Sequence, residues 1–441
     1  WSRQTTTTYA TASSSTATQV GKVETQLSGL ATNRLSRTDS YDIFGNVTTQ
    51  YVDVNRGGKT VTTTTDAPDS MTDAQQVAYN GLTMSSRNTA NLTTTFGHDA
   101  LGRPVTSIDP RTGTTTTAYV TGTNQVSTVT DPASIVQATY AYDSAGRVSS
   151  VKDALNKYAY TSYTTRNEVY RQWGDTTYPV ENSYDTWGRR TTMSTYRAGT
   201  GWSASTWPVS PGTADTTTWA YQESTGLLTS KTDAAGKAVT YTYTQAGQLA
   251  TRQWARGTVT TYGYSSTTGE RLTVDYSDST PDLTYTYNRL GQPATVVDGT
   301  GTRTFNHNLA ATLELQNEDL PSFFGSRRVS YPRATSGIIG RPNGLQLGTS
   351  GSPTNDQSVT YGYDTSGRFN SLGGGGQTFA YGYATNSQLI ATVTNSALNY
   401  TDSRVYDAAH DSINQRKTTW GATPVIKAQF DYTQDNLGRI T

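Results

Sequence analysis

Apolar side chains are thinly spread along this chain, and those that recur do so two residues apart. Tyr221, Tyr243, Tyr264 and Tyr287 are each preceded two positions earlier by an aromatic residue (Trp219, Tyr241, Tyr262, Tyr285) and followed by Gly226, Gly247, Gly269 and Gly291. Strand side chains alternate between faces, so such a pair forms an aromatic stripe on one face, and aromatic and β-branched residues favour strands. The anchors at 221, 243, 264 and 287 are 22, 21 and 23 residues apart. Self-similarity at this period signals a repeat architecture.

The fullest copy, Tyr140 to Tyr160, shows what one repeat does. Tyr140 and Tyr142 share a face; Asp143, followed by Gly146, has the chemistry of a tight turn in which the carboxylate accepts from nearby backbone N–H groups and glycine takes the positive φ of a type I turn with a bulge. Arg147 to Val151 reads as the returning strand, and Asp153 opens a second turn. One repeat is therefore two strands and two turns.

The pattern divides the chain. Residues 1–38 read as an irregular arm or first strands. Residues 39–305 form the repeat array, with anchors placed at Tyr119, Tyr142, Tyr160 and Tyr184 and an insertion near 200–218 containing Trp202, Trp207, Pro208 and Pro211. Prolines cannot donate to a central ladder, so this segment is expected to loop out. The repeat blurs between Thr60 and Asn91, where a short helical turn or a long loop is expected. Residues 306–357 read as an irregular segment, and the array resumes over 358–441. The beginning at Trp1 and the end within Leu437–Thr441 suggest a piece of a longer protein.

Composition narrows the function classes. Hydrophobic residues make up 33% of the chain, with 30 Tyr and 40 Gly, which suits an all-β protein rich in turns. Low hydrophobicity also marks disordered chains, but those lack aromatics. The 34 basic and 34 acidic residues cancel, so the basic excess of a phosphate-contacting nucleic-acid binder is missing. There is no cysteine, hence no disulfide framework. No apolar run approaches the roughly 20 residues of a membrane span.

Tyr142-Asp143-x-x-Gly146-Arg147, Tyr184-Asp185-x-x-Gly188-Arg189 and Tyr363-Asp364-x-x-Gly367-Arg368 resemble the RHS or YD repeat, as do the half-phrases at Asp131 and at Asp233 to Lys237. The resemblance covers the chain from about Asp39 onward. It implies a repetitive antiparallel β-hairpin meander spiralling into a hollow shell or tube, as in bacterial Rhs toxins, the B and C components of Tc toxins, and teneurins. It further implies a secreted or cell-surface bacterial protein whose shell sequesters a toxic C-terminal region. The family's Pro-rich release signature has no convincing counterpart. Asp109-Pro110-Arg-Thr-Gly113 is superficially similar but sits in phase with an ordinary repeat turn.

No residue is assigned a catalytic, cofactor-binding or metal role. Calcium loops need several acidic ligands at fixed offsets, and each turn offers one. His98, His307 and His410 are the only histidines; a zinc site needs three or four ligands, and His98 stands at an aromatic anchor position. The glutamates are scattered without a spacing that selects an acid pair. Trp202, Trp207 and Trp219, and Phe323, Phe324, Arg327 and Arg328, are the candidate binding residues, since exposed aromatics and arginines anchor interfaces. The competing reading is that both groups fold onto the sheet. The function expected is a noncatalytic scaffold enclosing cargo, its partner being the rest of the same polypeptide or an encapsulated C-terminal domain. The alternative is an adhesin or glycan-binding filament that self-associates, and a polysaccharide-acting enzyme comes third.

Overall fold

The computed structural model describes residues 6–8, 22–26, 33–68, 72–197, 199–308, 312–350, 355–385 and 387–441. Over these residues the chain forms 36 β-strands and one short 3-10 turn, Ser322–Phe324. Two units separate: residues 1–116, 131–133 and 300–441, and residues 117–130 and 134–299.

In the second unit each strand pairs antiparallel with the next. Val126–Thr130 pairs with Val136–Tyr142, which pairs with Val148–Asp153, which pairs with Tyr158–Tyr163, and the ladder continues to Pro293–Asp298. In the first unit the same meander runs from Thr6–Thr8 to Pro104–Asp109 and from Gly301–His307 to Val425–Asp431. Within each unit a strand's main contacts are with its chain neighbours, the quasi-one-dimensional arrangement of repeat proteins. Among the described residues only Ala90, Trp173 and Val274 are buried hydrophobic side chains. Stability is thus distributed over half-buried aromatics and backbone pairing.

Each repeat turn is fastened locally. Asp143 Oδ1 accepts from the backbone N–H groups of Ala145 (2.9 Å) and Arg147 (3.0 Å), and its Oδ2 accepts from Arg147 Nε at 2.8 Å. Gly146 has φ +79°, and the ladder slips register beside the turn, between Ala141 and Tyr142. The same three bonds recur at Asp99, Asp185, Asp364 and Asp435. The arginine also laces one turn to the next, Arg147 Nη1 donating to Thr164 O at 3.0 Å and to Asn167 Oδ1 at 2.8 Å.

The hydroxyl of the anchor tyrosine explains why the anchor is not phenylalanine. Tyr142 donates to Val126 O, Tyr163 to Val148 O, Tyr184 to Val169 O, Tyr243 to Leu228 O and Tyr264 to Leu249 O, at 2.8–2.9 Å. Each bond caps the carbonyl that begins the preceding strand. This pattern corrects one anchor: Tyr163, not Tyr160, occupies the position, because Tyr163 is the ring that reaches back and precedes the turn at Thr164. The intervals from 142 to 163 and from 163 to 184 then become equal. Tyr160 instead stacks on Tyr158 and Trp173.

Where the phrase blurs, strands persist. Thr60–Asp66, Ala74–Tyr79 and Leu82–Arg87 pair in order; part of the segment expected to hold a helical turn, residues 69–71, lies outside the described residues. Leu315–Asp319, Arg327–Ser330 and Gly344–Thr349 carry the ladder through 306–357. Of the arm at 1–38, most lies outside the described residues, and Arg34–Tyr41 is a strand paired with Val47–Asn55. No helix among the described residues is long and apolar enough to cross a membrane.

Candidate functional site

The insertion leaves the strand Arg190–Arg197 and returns at Thr213–Tyr221. Its neck is closed by close backbone approach: a Cβ on Gly199 would collide with Pro211 O, and one on Gly212 with Arg197 O. The loop folds back onto the sheet. Trp173 Nε1 donates to Ala204 O at 2.9 Å, and Trp207 meets Trp173, Tyr196 and Trp202 edge-on at 5.5, 5.5 and 5.1 Å between ring centroids. Trp202 also tilts against Tyr196 at 5.9 Å, and the Arg171 guanidinium lies 4.7 Å over Trp207.

Beneath these rings Glu181 accepts from Tyr170 (2.8 Å), Tyr196 (2.6 Å) and Arg171 (3.1 Å). Burial pushes the Glu181 carboxyl up, but these donors outweigh it and hold it below its ordinary value. Burial, with the bond to Glu181, pushes the Tyr196 phenol up to about 12, so it remains a donor at neutral pH. Trp202 and Trp207 therefore spend most of their aromatic surface on the chain's own side chains.

Trp219 stands apart from them. It lies on the strand Thr213–Tyr221, flanked by Arg190 at 4.4 Å and Lys231 at 5.7 Å. It lines an open groove of about 340 Å³ with Tyr221 and Trp187. Trp187, which the sequence pattern did not single out, is 75% exposed; its signal was its place between Asp185 and Gly188, at the tip of a turn.

Phe323 and Phe324 sit on the 3-10 turn, 72% and 42% exposed, with their rings edge-on at 5.0 Å. The neighbouring arginines are not a free pair. Arg327 forms an ion pair with Asp356, and Arg328 grips Asp319 through bonds of 2.7 and 2.8 Å. Arg328, together with Ser350 and Asn306, holds the Asp319 carboxyl down at about 2. The seven candidates thus fall into a self-packed cluster, a groove wall and an exposed tip.

Among the described residues no group of acidic and histidine side chains is arranged to hold a metal. His98 ends the strand Thr93–His98. His410 is engaged by Asp407 and Asp131, a pairing across 279 residues that leaves no trace in sequence spacing. At Asp109-Pro110 the carboxylate accepts from the backbone of Arg111 and Thr112, a local turn between the paired strands Pro104–Asp109 and Gly113–Tyr119 that lacks the arginine bond of the Asp143 type.

Residues 223–253 match the RHS Repeat family. No curated protein matches the sequence. Similar solved structures include a TcdB2–TccC3–TEV crystal structure, 11% identical, with a TM-score of 0.44, covering 96% of this chain and 27% of that one. Another is the Photorhabdus luminescens Tc holotoxin pore, 12% identical, with a TM-score of 0.36, covering 91% and 27%. This chain therefore spans about a quarter of the length of those chains.

Proposed function

We propose that this chain, an RHS/YD-repeat protein, is a noncatalytic stretch of wall in a secreted bacterial protein, and that the wall encloses a polypeptide cargo. The observation that carries the reading is where the repeat spends its polar groups. Asp143 and Arg147 fasten their own turn and the next one, and Tyr142 caps a strand carbonyl. These side chains, which elsewhere serve as acids, bases and anion ligands, are committed here to holding strands in register. A meander built this way extends without a growing core. It gives a wall rich in hydroxyls and of zero formal net charge, so it offers an unfolded chain little electrostatic attraction. The cargo is most simply the rest of the same polypeptide.

Electron microscopy of the full polypeptide carrying these residues, combined with limited proteolysis, tests this. Hollow particles in which an attached segment resists protease until the wall is denatured are expected. Solid rods, concentration-dependent fibres, or a segment cleaved as fast as the free peptide would overturn it.

A further inference from the structure

The turn after the strand Tyr400–Tyr406 holds the His410 ring between two carboxylates. Nδ1 lies 3.0 Å from Asp407 Oδ1, and Nε2 lies 2.8 Å from Asp131 Oδ2. Asp131 is only 8% exposed. Next to the histidine, Asp411 is gripped by Arg111 through bonds of 2.7 and 2.6 Å across 300 residues. Asp109 adds its negative charge near Arg111. Among the described residues, the charged groups that act on the ring are Asp407 on its own turn and Asp131 on a second turn, while the adjacent Asp411 is held by Arg111 on a third.

Protonation decides whether this arrangement is satisfied. A neutral imidazole has one N–H and one lone pair. It can donate to one carboxylate only, and at its other nitrogen a lone pair would face a carboxylate oxygen at hydrogen-bond distance. Imidazolium donates at both nitrogens. We propose that His410 is a proton-dependent latch, which ties the 407–412 turn to the turn at Asp131 when charged and loosens as rising pH removes its proton.

The bond to Asp131 and, against burial, the bond to Asp407 raise the His410 pKa above its ordinary 6.5. A raised folded-state value means that the latch's contribution is full below 6.5 and is lost as pH climbs through the raised value. Arg111 keeps its charge over that range, so its bidentate hold on Asp411 acts as the fixed arm while His410 releases. The device differs from an acid-triggered switch in sign: it is tight in mildly acidic solution and slack in alkaline solution.

Two measurements on the full chain decide it. The first is NMR titration of the three histidines, with His98 and His307 as internal references. His410 is expected to titrate above 6.5, with Asp131→Asn moving it back towards that value. The second uses the absence of native cysteine: spin labels on Ala133→Cys and Ala408→Cys report the distance between the two turns. The distribution should broaden as His410 loses its proton, whereas His410→Gln should give one that no longer responds to pH. Titration of His410 at or below 6.5, a distribution indifferent to its protonation, or a pH response that survives in His410→Gln would each refute the latch.

Discussion

Replacing Tyr243 with phenylalanine removes a single oxygen from the repeat and tests what the anchor contributes. The Tyr243 hydroxyl donates to Leu228 O at 2.8 Å from a half-buried ring. Deleting the donor keeps the ring's packing and strips a partner from the carbonyl. A net intramolecular hydrogen bond is worth about 0.5–1.5 kcal/mol, and a half-buried site that water can partly reach lies near the middle, about 1 kcal/mol. Global melting is a blunt probe, because a repeat array opens section by section. Native-state hydrogen exchange of the strand Ala238–Tyr243 reads the local effect, expected as roughly five-fold faster exchange through local opening, since 1.4 kcal/mol corresponds to a factor of ten. Tyr241→Phe on the same strand is the control, for the Tyr241 hydroxyl makes no hydrogen bond among the described residues. Equal responses from the two variants would show that ring packing, and not the hydroxyl, holds the strand ends.

Other expectations follow from the same geometry. Gly236 has φ +73°, and an added Cβ would meet nothing within 4 Å, so Gly236→Ala isolates backbone strain and should cost about 1–2 kcal/mol; no loss in denaturant titration would mean that the turn re-forms in another conformation. Trp173→Ala removes the buried floor of the insertion cluster, a change that typically costs about 3–5 kcal/mol, and should make residues 199–212 susceptible to protease at concentrations the parent resists. The carboxyls of Asp99, Asp143 and Asp435 are held below their ordinary 3.8, first by the side-chain bond from the arginine four residues on. Groups with lowered values stabilise the fold above the ordinary value and cease to do so as pH falls through the lowered one. The circular-dichroism signal of the sheet should therefore hold from neutrality to about pH 4 and decline only below it.

The parts that were legible in the sequence are those built from short-range interactions. Asp143 bonds to residues two and four further on, and the glycine that reverses the chain lies between them, so turn chemistry and strand alternation can be read from a few residues. The choice of tyrosine over phenylalanine at nearly every anchor was also visible, although its partner, about 15 residues upstream, emerges only when the strands are paired. The sequence points to Tyr160 because Tyr158 and Tyr160 form the two-apart aromatic pair seen at other anchors, whereas Tyr163 is preceded two positions earlier by Thr161, and only the hydroxyl's reach to Val148 O identifies Tyr163 as the anchor. Grouping Trp219 with Trp202 and Trp207 relied on closeness in sequence. Trp219 lies near the far end of the strand Thr213–Tyr221, six residues or about 20 Å along it from the end at which the insertion rejoins the ladder.

By itself, then, the sequence determined the repeat, its two strands and two turns, and the all-β ladder, because each rests on contacts between residues adjacent in the chain or one repeat apart. Tertiary structure alone decided that Trp202 and Trp207 close over Trp173, that Trp187 stands exposed beside Trp219, and that His410 meets Asp131. Those pairings bring together residues from different repeats or, for His410, 279 positions apart. A pattern of local periodicity carries no information about which distant turns the fold sets side by side.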